Sequence, residues 1–280
     1  MPRDIRTIGF TVFDLETTGL DPDSGDRVIE IAAVKLRNKQ RLGIFQYLIN
    51  PGERRVSPAA FAVNQIDLQM LKDSPTISEV IPLFFDFISG TCLVSYNASF
   101  DFAFLSSELR IIKKQIPAGL EIIDILAMAR MMLPGLGRYA LGFVANHLGI
   151  DTAQKHRALS DAQLAADVFN RLSSSLIKRG IVDFEQFASL FGLSSQFLDN
   201  INNAKIARIQ RALDLGVSLK IKYLSRHNAE LTEREVIPRA IIQQKNQAYL
   251  VGYCNLRNQE RTFGIKNILH LEMGIPVKSS

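Results

Sequence analysis

The sequence predicts an α/β layer fold, a mixed sheet flanked by helices, followed by a small β-barrel. Three observations carry this. Residues 8–49 hold three strand-like runs separated by turn residues. Residues 76–174 alternate short apolar strands with segments of helical spacing. From Val217 onward, short β-like runs recur at regular intervals.

The first run, Ile8–Asp14, is rich in β-formers, and Val28–Leu36 and Gln40–Ile49 read as the second and third strands. Turn residues 21–26 and Asn38-Lys39 separate them, so the three form an antiparallel meander. Thr76–Ile88 has helical spacing after Ser74-Pro75. Thr91–Ser95 reads as a short buried strand, and a helix follows from Ser99 to Lys113. Glu121–Ile125 is a further strand, and helices are expected over Ala127–Met132, Tyr139–Leu148 and Ser160–Ser174. Residues 183–213 read as helical, with Phe184, Phe187, Leu190 and Phe191 on one face and a break at Ser194-Ser195. The β-like runs are SLKIKYL, EREVIPRAII, QAYLVGYC and RTFGIKNIL, divided by Arg226-His227-Asn228 and Lys245-Asn246-Gln247. The expected division is residues 1–178 as one domain, 179–204 as a helical linker and 205–280 as a second domain.

Composition narrows the class. Hydrophobic content of 47% and charge of 22% suit a soluble globular chain. No apolar run approaches a membrane span. Asp4, Asp14 and Glu16 interrupt the apolar stretch near the N-terminus, so no signal peptide is expected. Cys92 and Cys254 stand far apart in apolar contexts, which predicts two buried thiols in a cytoplasmic protein. Neither has the neighbours of a zinc site. Residues 201–280 hold 13 Lys+Arg against 6 Asp+Glu, while residues 1–200 hold 20 against 22. The C-terminal part is therefore the electrostatic candidate for a polyanion, against the plainer reading of a basic solvated surface.

Three motifs carry the chemistry: Asp14 and Glu16 in FDLETTGL, Asp101 in YNASFDFAFL, and His156 with Asp161 in HRALSDA. Carboxylates placed within the most apolar segments are costly unless a cation joins them. Residues two apart on a strand share a face, so Asp14 and Glu16 aim into one cleft. Thr17, Thr18, Gly19 and Leu20 then leave the strand with their amides close by. Asn97 and Asp101 are four apart and share a helix face. Asp161 lies early in its helix, with His156 on the preceding loop. Oxygen-only ligands suit two Mg²⁺ or Mn²⁺ ions rather than zinc. Two such ions with a histidine base fit phosphodiester cleavage. Each motif alone has a plainer reading: a surface carboxylate pair, a helix cap with a paired aspartate, a polar loop histidine. Asp124 and Asp167 are assigned to helix ends or structural pairs. Asp21, Asp23 and Asp26 lack the glutamate that a calcium loop requires.

The N-terminal ~175 residues resemble the DnaQ-like DEDDh 3′→5′ exonucleases, which have an RNase H-like fold. FDLETTGLDP, VSYNASFDFAFL and HRALSDA carry the resemblance, together with IIDILAMARMMLPGLGRYALGFVANHLGI between the second and third. It implies that Asp14, Glu16, Asp101 and Asp161 bind two divalent ions and that His156 is the general base. It also implies release of nucleoside 5′-monophosphates from the 3′ end of single-stranded DNA or RNA, with DNA favoured here. Two departures bear on the terminal nucleotide: Tyr96 precedes Asn97 where the family commonly has His, and Asn64 in FAVNQI replaces another His. Residues ~205–275 resemble a WYL domain, a small Sm-like barrel, through REVIPRAI, QAYLVGYC and RTFGIKNIL, with Ala248 in place of the family's tryptophan. This implies a nucleotide or nucleic-acid ligand, with Tyr223, Arg234, Tyr249, Arg257 and Arg261 as candidates, against a packing or dimerisation role. A stand-alone nuclease, a polymerase-bound proofreading subunit and a non-catalytic binding protein are the functional alternatives. A DNA polymerase or a second copy of the chain is the expected protein partner, and no membrane.

Overall fold

The computed structural model describes residues 3–117, 119–152, 157–193, 201–224, 231–244 and 247–277. The N-terminal sheet contains β1 (Gly9–Thr17), β2 (Val28–Arg37), β3 (Gln40–Leu48), β4 (Thr91–Ser95) and β5 (Ile122–Asp124) in the order β3-β2-β1-β4-β5. The first three strands form the expected antiparallel meander, while β4 and β5 run parallel to β1. Parity on β1 separates two cores. Phe13 and Leu15 face one, shared with α3 (Ile77–Ile88) and α4 (Ala98–Ile111). Phe10 and Val12 face the other, built with α5 (Ile125–Met132), α6 (Leu141–His147), α7 (Ala158–Lys178) and α8 (Phe184–Phe191). Asp14 and Glu16 share the parity of Phe10 and Val12, so they point to the α7 side.

Local sequence explains the element ends. At the start of α3 the Thr76 N–H donates to the Glu79 carboxylate at 2.7 Å, one half of a capping box. Asp124 ends β5 and caps α5, accepting from the Leu126 N–H at 2.9 Å. That is the helix-end role the sequence suggested. Two short helices, α1 (Pro58–Asn64) and α2 (Leu68–Leu71), escaped the sequence reading because each is too short to show a period. On α8, Phe184, Phe187 and Phe191 are buried as expected, but Leu190 is 43% exposed. A residue six positions after Phe184 falls off that face at 100° per residue.

Helix α9 (Ile201–Leu215) follows, and Ser194-Ser195 lies outside the described residues. The C-terminal sheet comprises β6 (Val217–Leu224), β7 (Leu231–Gln244), β8 (Gln247–Cys254), β9 (Gln259–Gly264) and β10 (Ile268–Pro276). It is antiparallel, in the order β10-β6-β7-β8-β9. RTFGIKNIL, read as one run, is the end of β9, a 3₁₀ turn at Ile265–Asn267 and the start of β10. The register of β7 slips between Pro238 and Ala240, where proline cannot donate to the ladder. Gly252 lies opposite Pro238, and a Cβ there would meet the Ile237 carbonyl oxygen at 2.5 Å. Cys92 and Cys254 are free and buried, as expected. Among the described residues no helix is long and apolar enough to cross a membrane.

Candidate active site

Strand β1 and helix α7 bring three of the expected carboxylates together. One oxygen each from Asp14, Glu16 and Asp161 lie within 4.8 Å of one another, and all three residues are buried. Asp101 stands beside them on α4, also buried, with both oxygens engaged. The Leu15 N–H donates to its Oδ1 at 3.2 Å and the Ser95 hydroxyl to its Oδ2 at 2.6 Å. By contrast, Asp14 Oδ2 and Glu16 Oε1 are buried without a hydrogen-bond partner. Buried carboxylate oxygens left in this state are costly, and a divalent cation supplies what they lack. The donor set is all oxygen, so it fits Mg²⁺ or Mn²⁺.

The electrostatics agree. Burial pushes Asp14 well above the ordinary carboxylate range, and the neighbouring Asp101 charge adds to the rise. Burial raises Glu16 to about 8 and Asp101 to about 6, each opposed by the nearby Arg211 guanidinium. Asp214 is raised by burial to about 7, opposed first by the Gln210 hydrogen bond and then by Arg211, Arg130 and Arg138. These folded-state values lie above the unfolded ones, so the folded protein holds more protons between about pH 4 and 8. Stability is therefore lost as pH rises through that window. In EDTA, the melting temperature is expected to be lower at pH 8.5 than at pH 6. A melting temperature that stays level or rises over that range would show that these acids are already ionised in the fold.

The remaining expected residues take up different positions. Thr17 donates its hydroxyl to the Gly19 carbonyl at 2.6 Å, and Thr18 donates to Asp26 Oδ1 at 3.0 Å. Leu20 lies in the core. A Cβ at Gly19 would meet the Asp26 carboxylate at 2.2 Å, so this turn closes only around glycine. Asn64 ends α1, and its amide donates to the Thr17 carbonyl at 3.4 Å. Asn97 adopts a left-handed conformation (φ 66°) at the start of α4. His156 lies outside the described residues. Asp167 pairs with Arg41 at 2.8 Å, the structural role expected for it.

In the C-terminal sheet, Tyr223 and Arg234 come together. Tyr223 packs edge-on against Phe263 with ring centroids 5.2 Å apart, and the Arg234 guanidinium lies 5.8 Å from both ring centres. Tyr249 lies on β8, opposite Gly264 of β9. Arg257, in the β8–β9 turn, and Arg261, on β9, are exposed.

The sequence reading missed the contribution of α9. Arg211 reaches the carboxylates, with its guanidinium 3.8 Å from Glu16 Oε2 and 5.3 Å from the Phe100 ring centre. Arg208, three residues earlier, bonds Asp21 and Asp23 at 2.9 Å each. The i, i+3 spacing of the two arginines says only that they share a helix face, not what that face meets. A cavity of about 370 Å³ opens beside Asp14, Asp161, Arg211 and Tyr96. A larger one, about 810 Å³, opens at the opposite end of β1 and contains none of the four carboxylates.

Residues 11–169 match the family described as Exonuclease, and residues 204–273 match the WYL domain family. The DNA polymerase III subunit epsilon of Treponema pallidum is 40% identical over 167 residues, covering 59% of this chain and 76% of that one. The PolC-type DNA polymerase III of Caldanaerobacter subterraneus is 30% identical over 246 residues, which is 87% of this chain but only 17% of that polymerase. The nuclease domain of 3′hExo, a DEDDh family member, shares the fold with a TM-score of 0.55 at 18% identity, over 62% of this chain and 95% of that one. The chain belongs to the exonuclease family, in its DnaQ-like 3′→5′ class of hydrolases, with a WYL domain at its C-terminal side. Its N-terminal sheet has the RNase H-like arrangement of that class.

Proposed function

We propose that this chain is a metal-dependent exonuclease that releases nucleoside 5′-monophosphates one at a time from the 3′ end of single-stranded nucleic acid, with DNA favoured. The observation that carries this reading is the meeting of one oxygen each from Asp14, Glu16 and Asp161 within 4.8 Å, in a site where Asp14 Oδ2 and Glu16 Oε1 are buried without hydrogen-bond partners. Asp14, Glu16, Asp101 and Asp161 would hold two Mg²⁺ or Mn²⁺ ions. When bound, such ions stabilise charge on the attacking and leaving oxygens of an in-line displacement.

The chain's own residues do the rest. Ser95 and the Leu15 amide fix Asp101 in one orientation. Asn64, Asn97 and the Thr17–Leu20 turn border the place where a terminal nucleotide would lie. His156, five residues before Asp161, takes the proton from the attacking water as general base. Residues 1–178 are the catalytic unit, and 205–280 form a WYL domain joined through 179–204. The excess of cations after residue 200 suits a nucleic-acid or nucleotide ligand there, with Tyr223, Arg234, Tyr249, Arg257 and Arg261 as its contacts. A second reading, a polymerase-associated proofreading subunit, is favoured by the 40% identity to a polymerase III epsilon subunit.

The test is a time course on 5′-labelled single-stranded DNA and RNA with Mg²⁺, Mn²⁺ or EDTA. The expected result is a metal-dependent ladder that shortens by one nucleotide per step, faster on DNA. No ladder on either substrate with either metal would overturn the reading and favour a non-catalytic binding protein. Co-purification with a polymerase would favour the proofreading subunit.

A further inference from the structure

We propose that helix α9 is an autoinhibitory plug, with Arg211 holding the catalytic carboxylates until divalent ions and a nucleic-acid strand displace it. The inference rests on the two-metal reading of the site. It is carried by how α9 is anchored. The Asn97 amide, assigned above to substrate, donates to the Ala207 carbonyl at 3.0 Å. Arg208 clamps Asp21 and Asp23 in the loop that follows β1. Arg138 donates to the Asp214 carbonyl at 3.4 Å, and Arg130 hydrogen-bonds Gln210. These anchors run from residue 207 to 214, two turns of helix, and come from three places: the residue before α4, the loop after β1, and α5 with the segment that follows it. Between them Arg211 points at Glu16 and packs over Phe100.

Charge makes this contact exchangeable. One guanidinium brings a single positive charge to the four carboxylates, whereas two divalent ions would bring four. A bound pair of dications would also repel a guanidinium held against the same oxygens. Arg211 and the ions therefore compete, and each weakens the other by the same factor. A strand entering the cleft meets the same obstacle at Asn97, which α9 occupies. It also offers phosphates, to which Arg208 and Arg211 can transfer as bidentate donors. The helix leads through Gly216, in the left-handed region at φ 64°, directly into β6. Ala207, Ile209 and Ala212 of α9 are buried in one core with Val217, Leu219 and Ile221 of β6, so α9 would leave the carboxylates together with the C-terminal sheet.

The experiment is calorimetric titration of Mn²⁺ into the full chain, comparing wild type with Arg211→Gln and Arg208→Gln. Arg211→Gln is expected to bind Mn²⁺ about tenfold more tightly. Arg208→Gln, which touches none of the four carboxylates, is expected to shift affinity the same way by a smaller factor. Equal or weaker affinity in Arg211→Gln overturns the plug and leaves the metal site standing. No Mn²⁺ binding by any of the proteins overturns the two-metal reading, and the plug with it. If Arg211→Gln fails to fold, Arg208→Gln decides alone: tighter binding supports the plug, and unchanged binding overturns it.

Discussion

Asp161→Ala is expected to abolish turnover while leaving the fold intact. The side chain lies in the first turn of α7, and one of its oxygens is within 4.8 Å of oxygens from Asp14 and Glu16. Removing one donor of the set forfeits several kcal/mol of charge stabilisation, which is a rate loss of about 10³ or more. Stability should move in the other direction. In the metal-free protein the Asp161 charge is among those that raise Asp14 and Glu16. Taking it away relieves repulsion between buried like charges. The backbone contact that starts the helix, from the Asp161 N–H to the Arg157 carbonyl at 3.0 Å, does not involve the side chain. Initial rates on a labelled oligonucleotide and a melting curve in EDTA separate these effects. A rate within tenfold of wild type would remove Asp161 from the chemistry. A much lower melting temperature would show that it holds the fold instead.

What the sequence disclosed depended on period and on local chemistry. Asp14 and Glu16 could be placed on one face because a strand has a period of two, and β1 extends to Thr17 so that both stay on it. Asp124 could be assigned to a cap because it stands immediately before a helical run. The DEDD spacing, with the FDLETTGL, NASFD and HRALSD contexts, made the family legible without any structure. Arg211 was not legible, because an arginine on an amphipathic helix ordinarily faces water. Only the return of α9 onto α4 turns that face inward, and such a long-range contact leaves no local trace. The split of RTFGIKNIL was hidden for a different reason. A 3₁₀ turn of three residues, Ile265–Asn267, is too short to show a period of its own between two β-like runs. The sequence placed the Thr17–Leu20 amides near the carboxylates but gave no sign of the Asp26 carboxylate packed where a Cβ at Gly19 would sit.

Arg157→Ala is expected to destabilise the protein by about 3 kcal/mol, the lower end of the cost of breaking a buried ion pair from one side. Glu30 is fully buried on β2, directly opposite Glu16 of β1. Arg157 holds it with two bonds, Nε to Oε2 at 2.9 Å and Nη2 to Oε1 at 3.0 Å. The Ala158 N–H at 3.2 Å and the Gln46 amide at 2.8 Å complete its shell. Those two donors would remain, and the arginine is one-third exposed, which is why the lower figure applies. The same contacts give the variant a catalytic consequence. Glu30 fastens the start of α7 to the sheet, one residue after His156 and four before Asp161. Loosening that end lets Asp161 drift from Asp14 and Glu16, so kcat should fall more than KM rises. Arg157→Lys keeps the charge but not the bidentate geometry, so it should recover part of the stability and little of the rate. Denaturant unfolding with matched steady-state kinetics reads both effects. If Arg157→Ala were as stable as wild type, Glu30 would have to be satisfied by Gln46 and Ala158 alone. The Glu30–Arg157 pair would then not be what positions α7.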